Sequence, residues 1–393
     1  MCCNLTFITF CDRPAHYSAN WGIIIRMRKI AKLFFAVALI SAGAFAQSGR
    51  VQGTPPPTPD DTVRIHTEEI KLNVLAFDDK GEFFRDVTKN DVVITENDIL
   101  HQPESVRWLP ANVLIVLDTG GDMRGVKSLE QTRRVAEGIV NALRPGDSVA
   151  ILTYSDKPVI VGEWTSNKAE ALAAIKRAKF GRKSVYVDAL KVATDFLLRT
   201  PLENRHLVLI TDGVDSGGRS SSKFDAYQRL LGTDISVHVL SYATMESAEI
   251  DPRTRTLTND APPRAMPDEI AATLPNGARD PHTAPKVGPT INLDREMIRN
   301  LKARQLELET SEQQLQQLSE NTNGEFVAPG TVDEMVEKAD LVARMIDSTY
   351  SVTYTPKVPV VATRGVAERN IQVTSKREGL VVQARRRLLV NTK

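Results

Sequence analysis

Along most of the chain, short unbroken apolar runs take turns with amphipathic stretches. Val113-Leu114-Ile115-Val116-Leu117 has no polar interruption, the mark of a strand buried on both faces of a parallel sheet. Further strands are predicted at 148–154, 159–164, 207–211 and 236–241. Between them, Leu129, Thr132, Ala136, Ile139, Val140 and Leu143 recur at helical spacing over 128–144, and helices are also predicted at 167–179, 187–199 and 223–231. Ser128 with Gln131 and Thr331 with Glu334 have capping-box spacing. The second pair opens a helix over 331–348 that carries Met335, Val336, Ala339, Val342, Ala343 and Ile346 on one face. Strand and helix in alternation predict an α/β fold with a doubly wound, mostly parallel sheet.

The flanks read differently. Over 62–109, Ile70, Leu72, Val74 and Ala76 alternate with polar positions, Asp78-Asp79-Lys80-Gly81 predicts a hairpin turn, and 92–94 and 106–109 read as short strands. Segment 350–393 returns to strands at 351–354, 370–374 and 380–384. These two β segments are expected to pair into one small β-sandwich, with the unit 110–349 inserted between them. Within that unit, 244–289 is rich in proline and lacks an apolar period, so it is expected to be a disordered insertion. A long charged helix over 294–320 and a short strand at 325–327 follow.

Composition changes this picture mainly at the N-terminus. The 393 residues carry 50 Lys and Arg against 49 Asp and Glu, a net charge of +1 that argues against a nucleic-acid partner held by a basic field. Arg26, Arg28, Lys29 and Lys32 precede an apolar run that ends in Ala44-Phe45-Ala46, which is the layout of a secretory signal peptide cleaved before Gln47. The run from Leu33 to Ala46 has 14 residues, short of the roughly 20 that a spanning helix needs. Residues 1–46 are therefore read as a signal peptide, with 1–26 an extension upstream of a true start at Met27. The expected protein is exported, periplasmic or extracellular, and meets the membrane only through that peptide. Cys2, Cys3 and Cys11 leave with it, and so do five basic residues and one acid, so the net charge becomes −3. Residues 47–61 form a proline-rich, extended linker.

The candidate chemistry lies at the carboxyl ends of predicted parallel strands, where such sheets bind ligands. Asp118-Thr119-Gly120-Gly121-Asp122-Met123 follows the first buried strand, and Thr211-Asp212-Gly213 ends another. Between them Lys183-Ser184-Val185-Tyr186-Val187-Asp188-Ala189-Leu190 opens a helix. This set resembles the von Willebrand factor A (VWA) domain and its metal-ion-dependent adhesion site over roughly residues 110–350. Asp118 and Asp212 match that family's two aspartates, Ser184 stands at its threonine, and Met123 matches the residue after its second serine. The tail, with Tyr350-Ser351-Val352-Thr353-Tyr354-Thr355-Pro356, Arg369-Asn370-Ile371-Gln372-Val373 and Gln383-Ala384-Arg385-Arg386-Arg387, resembles the bacterial exported VWFA-related proteins.

The resemblance implies a non-enzymatic module that binds a protein or an extracellular matrix or envelope component, with Mg²⁺ or Ca²⁺ held by Asp118, Asp122, Ser184 and Asp212. The chain departs from the pattern where Gly120 and Asp122 replace both serines. With Asp118, Asp122 and Asp212 all ionised, a bound divalent ion leaves the site one charge negative, so a partner carboxylate would be repelled. An envelope scaffold with a metal-free site is the alternative. A second alternative is an aspartic-type hydrolase, because Asp118-Thr119-Gly120 and Asp215-Ser216-Gly217 match D-[ST]-G loops; the well-marked helices around both loops oppose it. Arg385-Arg386-Arg387 is expected to flank the last strand as solvated charge, and Trp108 and Trp164 to serve in packing.

Overall fold

The computed structural model describes residues 69–121, 128–216, 220–254, 257–258, 290–291, 295–358 and 366–391. The expected signal peptide and proline-rich linker, Asp122 and most of the expected insertion lie outside the described residues. Four strands come first: β1 (Ile70–Phe77), β2 (Val92–Glu96), β3 (Ile99–His101) and β4 (Ser105–Trp108). The alternating part follows as β5 (Asn112–Asp118), α1 (Leu129–Ala142), β6 (Ser148–Tyr154), β7 (Pro158–Thr165), α2 (Lys168–Lys176), α3 (Tyr186–Arg199), β8 (Arg205–Thr211), α4 (Ser220–Leu231), β9 (Ser236–Ser241) and α5 (Ala243–Ile250). Next are a two-residue ladder of β10 (Leu257–Thr258) with β11 (Thr290–Ile291), then α6 (Arg295–Asn321), β12 (Phe326–Val327) and α7 (Val332–Asp347). The chain returns through β13 (Thr349–Tyr354), β14 (Val366–Ser375), β15 (Val381–Ala384) and β16 (Arg387–Asn391).

The central sheet has six strands in the order β12-β9-β8-β5-β6-β7, all parallel except β7, which runs antiparallel to β6 at the edge. The unbroken apolar run of β5 follows from this position. Val113, Ile115 and Leu117 pack with α1 and α7, whereas Leu114 and Val116 pack with α3, α4 and α6, and all five side chains are buried. The helix signal at Ser128 acts as read, and the one at Thr331 only in part. Ser128 and Gln131 complete a reciprocal capping box, while the Thr331 hydroxyl accepts from Glu334 N at 3.2 Å and the Glu334 carboxylate accepts instead from Gly330 N at 2.9 Å.

Two four-stranded antiparallel sheets, β15-β1-β13-β4 and β16-β14-β2-β3, each mix strands from before and after the α/β part. Leu72 and Val74 of β1, Ile94 of β2, Val352 and Tyr354 of β13 and Ile371 of β14 bury one another in a shared core. The fold is thus a doubly wound, mostly parallel α/β sheet flanked by a small β-sandwich of N- and C-terminal strands. The turn at Asp78 forms, with its carboxylate accepting from Lys80 N at 2.8 Å and Glu82 N at 2.9 Å and Gly81 at a positive φ. The chain after it makes only the bridge Phe77–Phe83 with β1, because β13 and β15 take both edges of that strand.

Two expectations need correcting. The stretch beginning at 244 is not without structure: α5 runs to Ile250 and a 3-10 turn covers Asp251–Thr254, because Met245 and Ile250 are buried, the latter beside Leu308 of α6. Nor is Arg385 solvated. It is 2% exposed, and its guanidinium donates to the carbonyls of Leu231, Thr233 and Ile235, at the end of α4 and in the connection to β9. Burial pushes its pKa down to about 10, against the pull of Asp234. Carbonyl oxygens alone are a poor counter-charge, so the guanidinium is held there by satisfying main-chain acceptors of the connection between α4 and β9.

The same seam carries Asn73, whose amide donates to Asp234 O and Ser236 Oγ, and Asn323, whose amide donates to Asn73 O and Gln383 O. Trp108 also belongs to the contact between sandwich and α/β part. Its indole N–H donates to Asp347 O at 2.8 Å, and the Arg144 guanidinium lies 3.9 Å from its ring centroid. Trp164 stacks on Phe196.

A buried polar chain crosses the amino end of the sheet. Glu325 N donates to His238 Nδ1 at 3.1 Å, so His238 carries its proton on Nε2 and donates it to His206 Nδ1 at 3.1 Å. His206 Nε2 then donates to Asn204 Oδ1 at 2.9 Å. Every link requires neutral rings. Burial lowers the pKa of both, His238 to about 3, with His238 adding to the depression at His206.

Two outcomes follow from this packing. The unfolded chain protonates these histidines near 6.5 while the fold keeps them neutral, so the unfolded state binds more protons below that value. Stability should be flat above about pH 7 and fall as pH drops from about 6.5 toward 5, seen as a declining urea midpoint, and a His206→Gln/His238→Gln double variant should flatten that slope. At the seam, Arg385→Met should lower the unfolding free energy by about 3 kcal/mol, measured as a lower urea midpoint, because three main-chain acceptors lose a charged donor.

Candidate functional site at the switch point of the sheet

The chain leaves β5 toward β6 on one side, whereas β8 adds to the other side of β5. The carboxyl ends of β5 and β8 therefore border the crevice where strand order reverses, the usual ligand position in open parallel sheets. Asp118 is the last residue of β5, and Asp212 directly follows β8. Both are almost fully buried.

Local hydrogen bonds explain why each carboxylate can sit there. Asp118 Oδ1 accepts from Gly120 N at 3.0 Å, and Asp212 Oδ1 accepts from Val214 N at 2.9 Å, so each closes a turn with the residue two positions on. Ser184 joins the loops. Its Oγ lies 3.3 Å from Asp118 Oδ2 and 3.2 Å from Val214 O, and its single proton serves one of them at a time. Ser184 N donates to Ser216 Oγ at 3.0 Å, and Ser216 N donates back to Ser184 O at 2.8 Å. Asp118, Ser184 and the Asp212 loop are thus brought to one place, as their strand-end positions implied. Tyr154 lies beneath, with its hydroxyl 2.6 Å from Thr211 Oγ1. Burial raises its pKa well above the ordinary value, and the charges of Asp118 and Asp212 raise it further.

Glycine at position 120 has a steric cause. A Cβ there would lie 1.7 Å from the carbonyl oxygen of Lys183, so the hydroxyl side chain that the adhesion-site pattern puts at this position has no room. Gly213 is equally constrained. It has a φ of +69°, and an added Cβ would come within 2.6 Å of Ser311 Oγ and 2.7 Å of Leu315 Cδ1 on α6. Helix α6 therefore rests directly on the loop after β8. Asp215, the second aspartate of the hydrolase alternative, accepts from Val187 N at 3.0 Å and caps the start of α3.

Two cations complete the crevice, and neither was singled out in the sequence. Arg304 of α6 donates from Nη2 to Asp212 Oδ2 at 3.2 Å, from Nε to Glu246 Oε1 at 2.9 Å and from Nη1 to Glu307 Oε2 at 3.3 Å. Burial alone would lower its pKa, but the hydrogen bond to Glu246 and the charges of Asp212, Glu246 and Glu307 raise it above the ordinary value. Lys223 of α4 donates to Gly213 O at 3.0 Å and lies over the Tyr186 and Tyr227 rings. Burial lowers its pKa, partly offset by Asp215, Asp212 and Glu307. Both residues line a cavity of about 1010 Å³ between α4 and α6, with Phe224 and Leu306 exposed at its rim. One sequence signal could have marked Arg304: it continues the face Leu308, Ser311, Leu315 at helical spacing, as the charged end of an otherwise buried stripe.

Because Gly213 has both a left-handed backbone and a packed neighbour, Gly213→Ala should cost about 2–4 kcal/mol of stability, measured by urea unfolding. A control, Gly146→Ala, tests the backbone contribution by itself, since its φ is +100° with open space around it; it should cost about 1–2 kcal/mol.

Residues 113–214 match the family model for the von Willebrand factor type A domain. A curated relative, inter-alpha-trypsin inhibitor heavy chain H4 of Bos taurus, is 28% identical over 131 residues, a match covering 30% of this chain and 14% of that protein. Among solved structures, BatB from Bacteroides thetaiotaomicron is similar at 16% identity and a TM-score of 0.35, covering 60% of this chain and 98% of that one. A von Willebrand factor type A protein from Catenulispora acidiphila is similar at 10% identity and a TM-score of 0.40, covering 84% and 75%. Manganese-loaded TRAP from Plasmodium vivax is similar at 11% identity and a TM-score of 0.34, covering 75% and 97%. The matched segment runs from β5 through Asp118, Ser184 and Asp212 to Val214, so this chain carries a von Willebrand factor type A domain.

Proposed function

We propose that this chain is an exported, non-enzymatic binding module whose crevice face meets a protein or an extracellular matrix or envelope component. The observation that carries this reading is the convergence of the β5 loop, the Ser184 loop and the β8 loop at the switch point, with the charged side chains of Asp156, Lys157, Arg182 and Lys183 exposed around them. Such a rim steers and selects a partner by charge. A hydrolytic role has little support, since Asp215 is committed to capping α3. Export rests on the basic cluster, apolar run and Ala44-Phe45-Ala46 of the leader. Among the described residues no helix is long and apolar enough to cross a membrane.

The adhesion-site version of this proposal adds Mg²⁺ or Ca²⁺ on Asp118, Asp122, Ser184 and Asp212. The scaffold version omits the ion, and the contact of Arg304 with Asp212 favours it. The test is capture of a partner from envelope extract by the immobilised full chain. Wild type should retain a specific partner, and Lys183→Glu should weaken retention by about tenfold. Equal capture by both proteins would remove this face from the interaction. Retention unchanged by EDTA supports the scaffold version, whereas loss in EDTA and recovery in Mg²⁺ supports the adhesion-site version.

A further inference from the structure

We infer that Arg304 is a tethered cation standing in for the exchangeable divalent ion at Asp212, so that the crevice carries its positive charge permanently and without metal. The inference starts from chain geometry. Arg304, Leu308, Ser311 and Leu315 lie along one face of α6. Leu308, Ser311 and Leu315 are buried, the last two within van der Waals reach of a Cβ built on Gly213. The packing of α6 on the β8 loop therefore sets where Arg304 emerges, which is against Asp212.

The guanidinium is also held from behind. Its three nitrogens meet three carboxylates, Asp212 at 3.2 Å, Glu246 of α5 at 2.9 Å and Glu307 of α6 at 3.3 Å. A planar, permanently charged fork suits this arrangement, and a lysine could not reproduce it. Glu246 and Glu307 have no counterpart in the four residues assigned to an ion, so this is a second cation-binding set sharing one ligand with the first.

The residues present fit a divalent ion poorly. One oxygen of Asp212 already faces a guanidinium, whose charge repels an ion on the same carboxylate. Its other oxygen accepts from Val214 N. The first serine position holds Gly120, where the Lys183 carbonyl excludes any side chain. A tethered cation differs from an ion in one consequential way: chelators and ion concentration do not control it. If the crevice is the binding face proposed above, its charge is then constant in any exported compartment, but the tethering itself does not rest on that reading.

The test uses Mn²⁺ as the probe, titrated calorimetrically into the purified full chain, with thermal melting in parallel. Wild type should show no Mn²⁺ binding tighter than about 1 mM and no change of melting temperature between Mn²⁺ and EDTA. Arg304→Ala should melt lower in EDTA, bind Mn²⁺ about tenfold more tightly than wild type, and recover melting temperature with it. Adding Asp212→Asn to that variant should abolish the gain. Equal Mn²⁺ response in wild type and Arg304→Ala, whether both bind or neither does, overturns the inference. Should Arg304→Ala fail to fold, Arg304→Gln carries the same test, and a wild type that binds Mn²⁺ tighter than about 100 μM overturns it alone. Because no partner is used, failure here is separate from failure of the capture experiment.

Discussion

The burial of β5 on both faces is the constraint on which the remaining structure depends. A strand covered by α1 and α7 on one side and by α3, α4 and α6 on the other can expose its polarity only at its ends. Its carboxyl end falls at the point where neighbouring strands β6 and β8 diverge in chain order. Asp118 and Asp212 consequently sit beside the same crevice although 94 positions of sequence separate them. Their burial is sustained by the loops themselves, through Gly120 N, Val214 N and the Ser184 hydroxyl.

Charge at this crevice is balanced by groups that lie far away in the chain. Arg304 and Lys223 belong to helices that pack on the sheet for apolar reasons, through Leu308, Leu315 and Leu318 of α6 and Ala226 and Leu230 of α4. Once those helices dock, their cationic side chains approach the loop after β8. A serine-to-glycine change at 120 then reads as accommodation of the Lys183 carbonyl, and an arginine on Asp212 as an alternative way to keep a buried carboxylate charged.

The insertion of the α/β part into a β-sandwich follows the same logic of shared burial. β13 and β15, from the far end of the chain, pair with the two edges of β1, and the apolar face of β1 is buried against β2 and β14 of the second sheet. The two parts are then joined by polar contacts: Arg385 on the carbonyls between α4 and β9, the amides of Asn73 and Asn323, and Trp108 beneath Arg144. Such a seam fixes orientation through directional hydrogen bonds, whereas the sandwich core stays separate from the two cores of the α/β part.

Periodicity and strand-end position made much of this legible in advance. The apolar run of β5, the capping box at Ser128 and the face of α7 depend on local spacing, so the α/β order, with Asp118 and Asp212 at the ends of parallel strands, could be read from the chain. Local patterns could not disclose which charged residue of a helix as polar as α6 turns inward, nor that one of three consecutive arginines is buried. Those outcomes are set by where carbonyls and carboxylates converge after docking, and only the tertiary structure decides that. By itself the sequence determined the alternation of strand and helix, the strand character of both flanks and the acidic strand ends. The tertiary structure decided that Arg304 and not Glu307 or Lys302 meets Asp212, because helix register against Gly213 admits one side chain there.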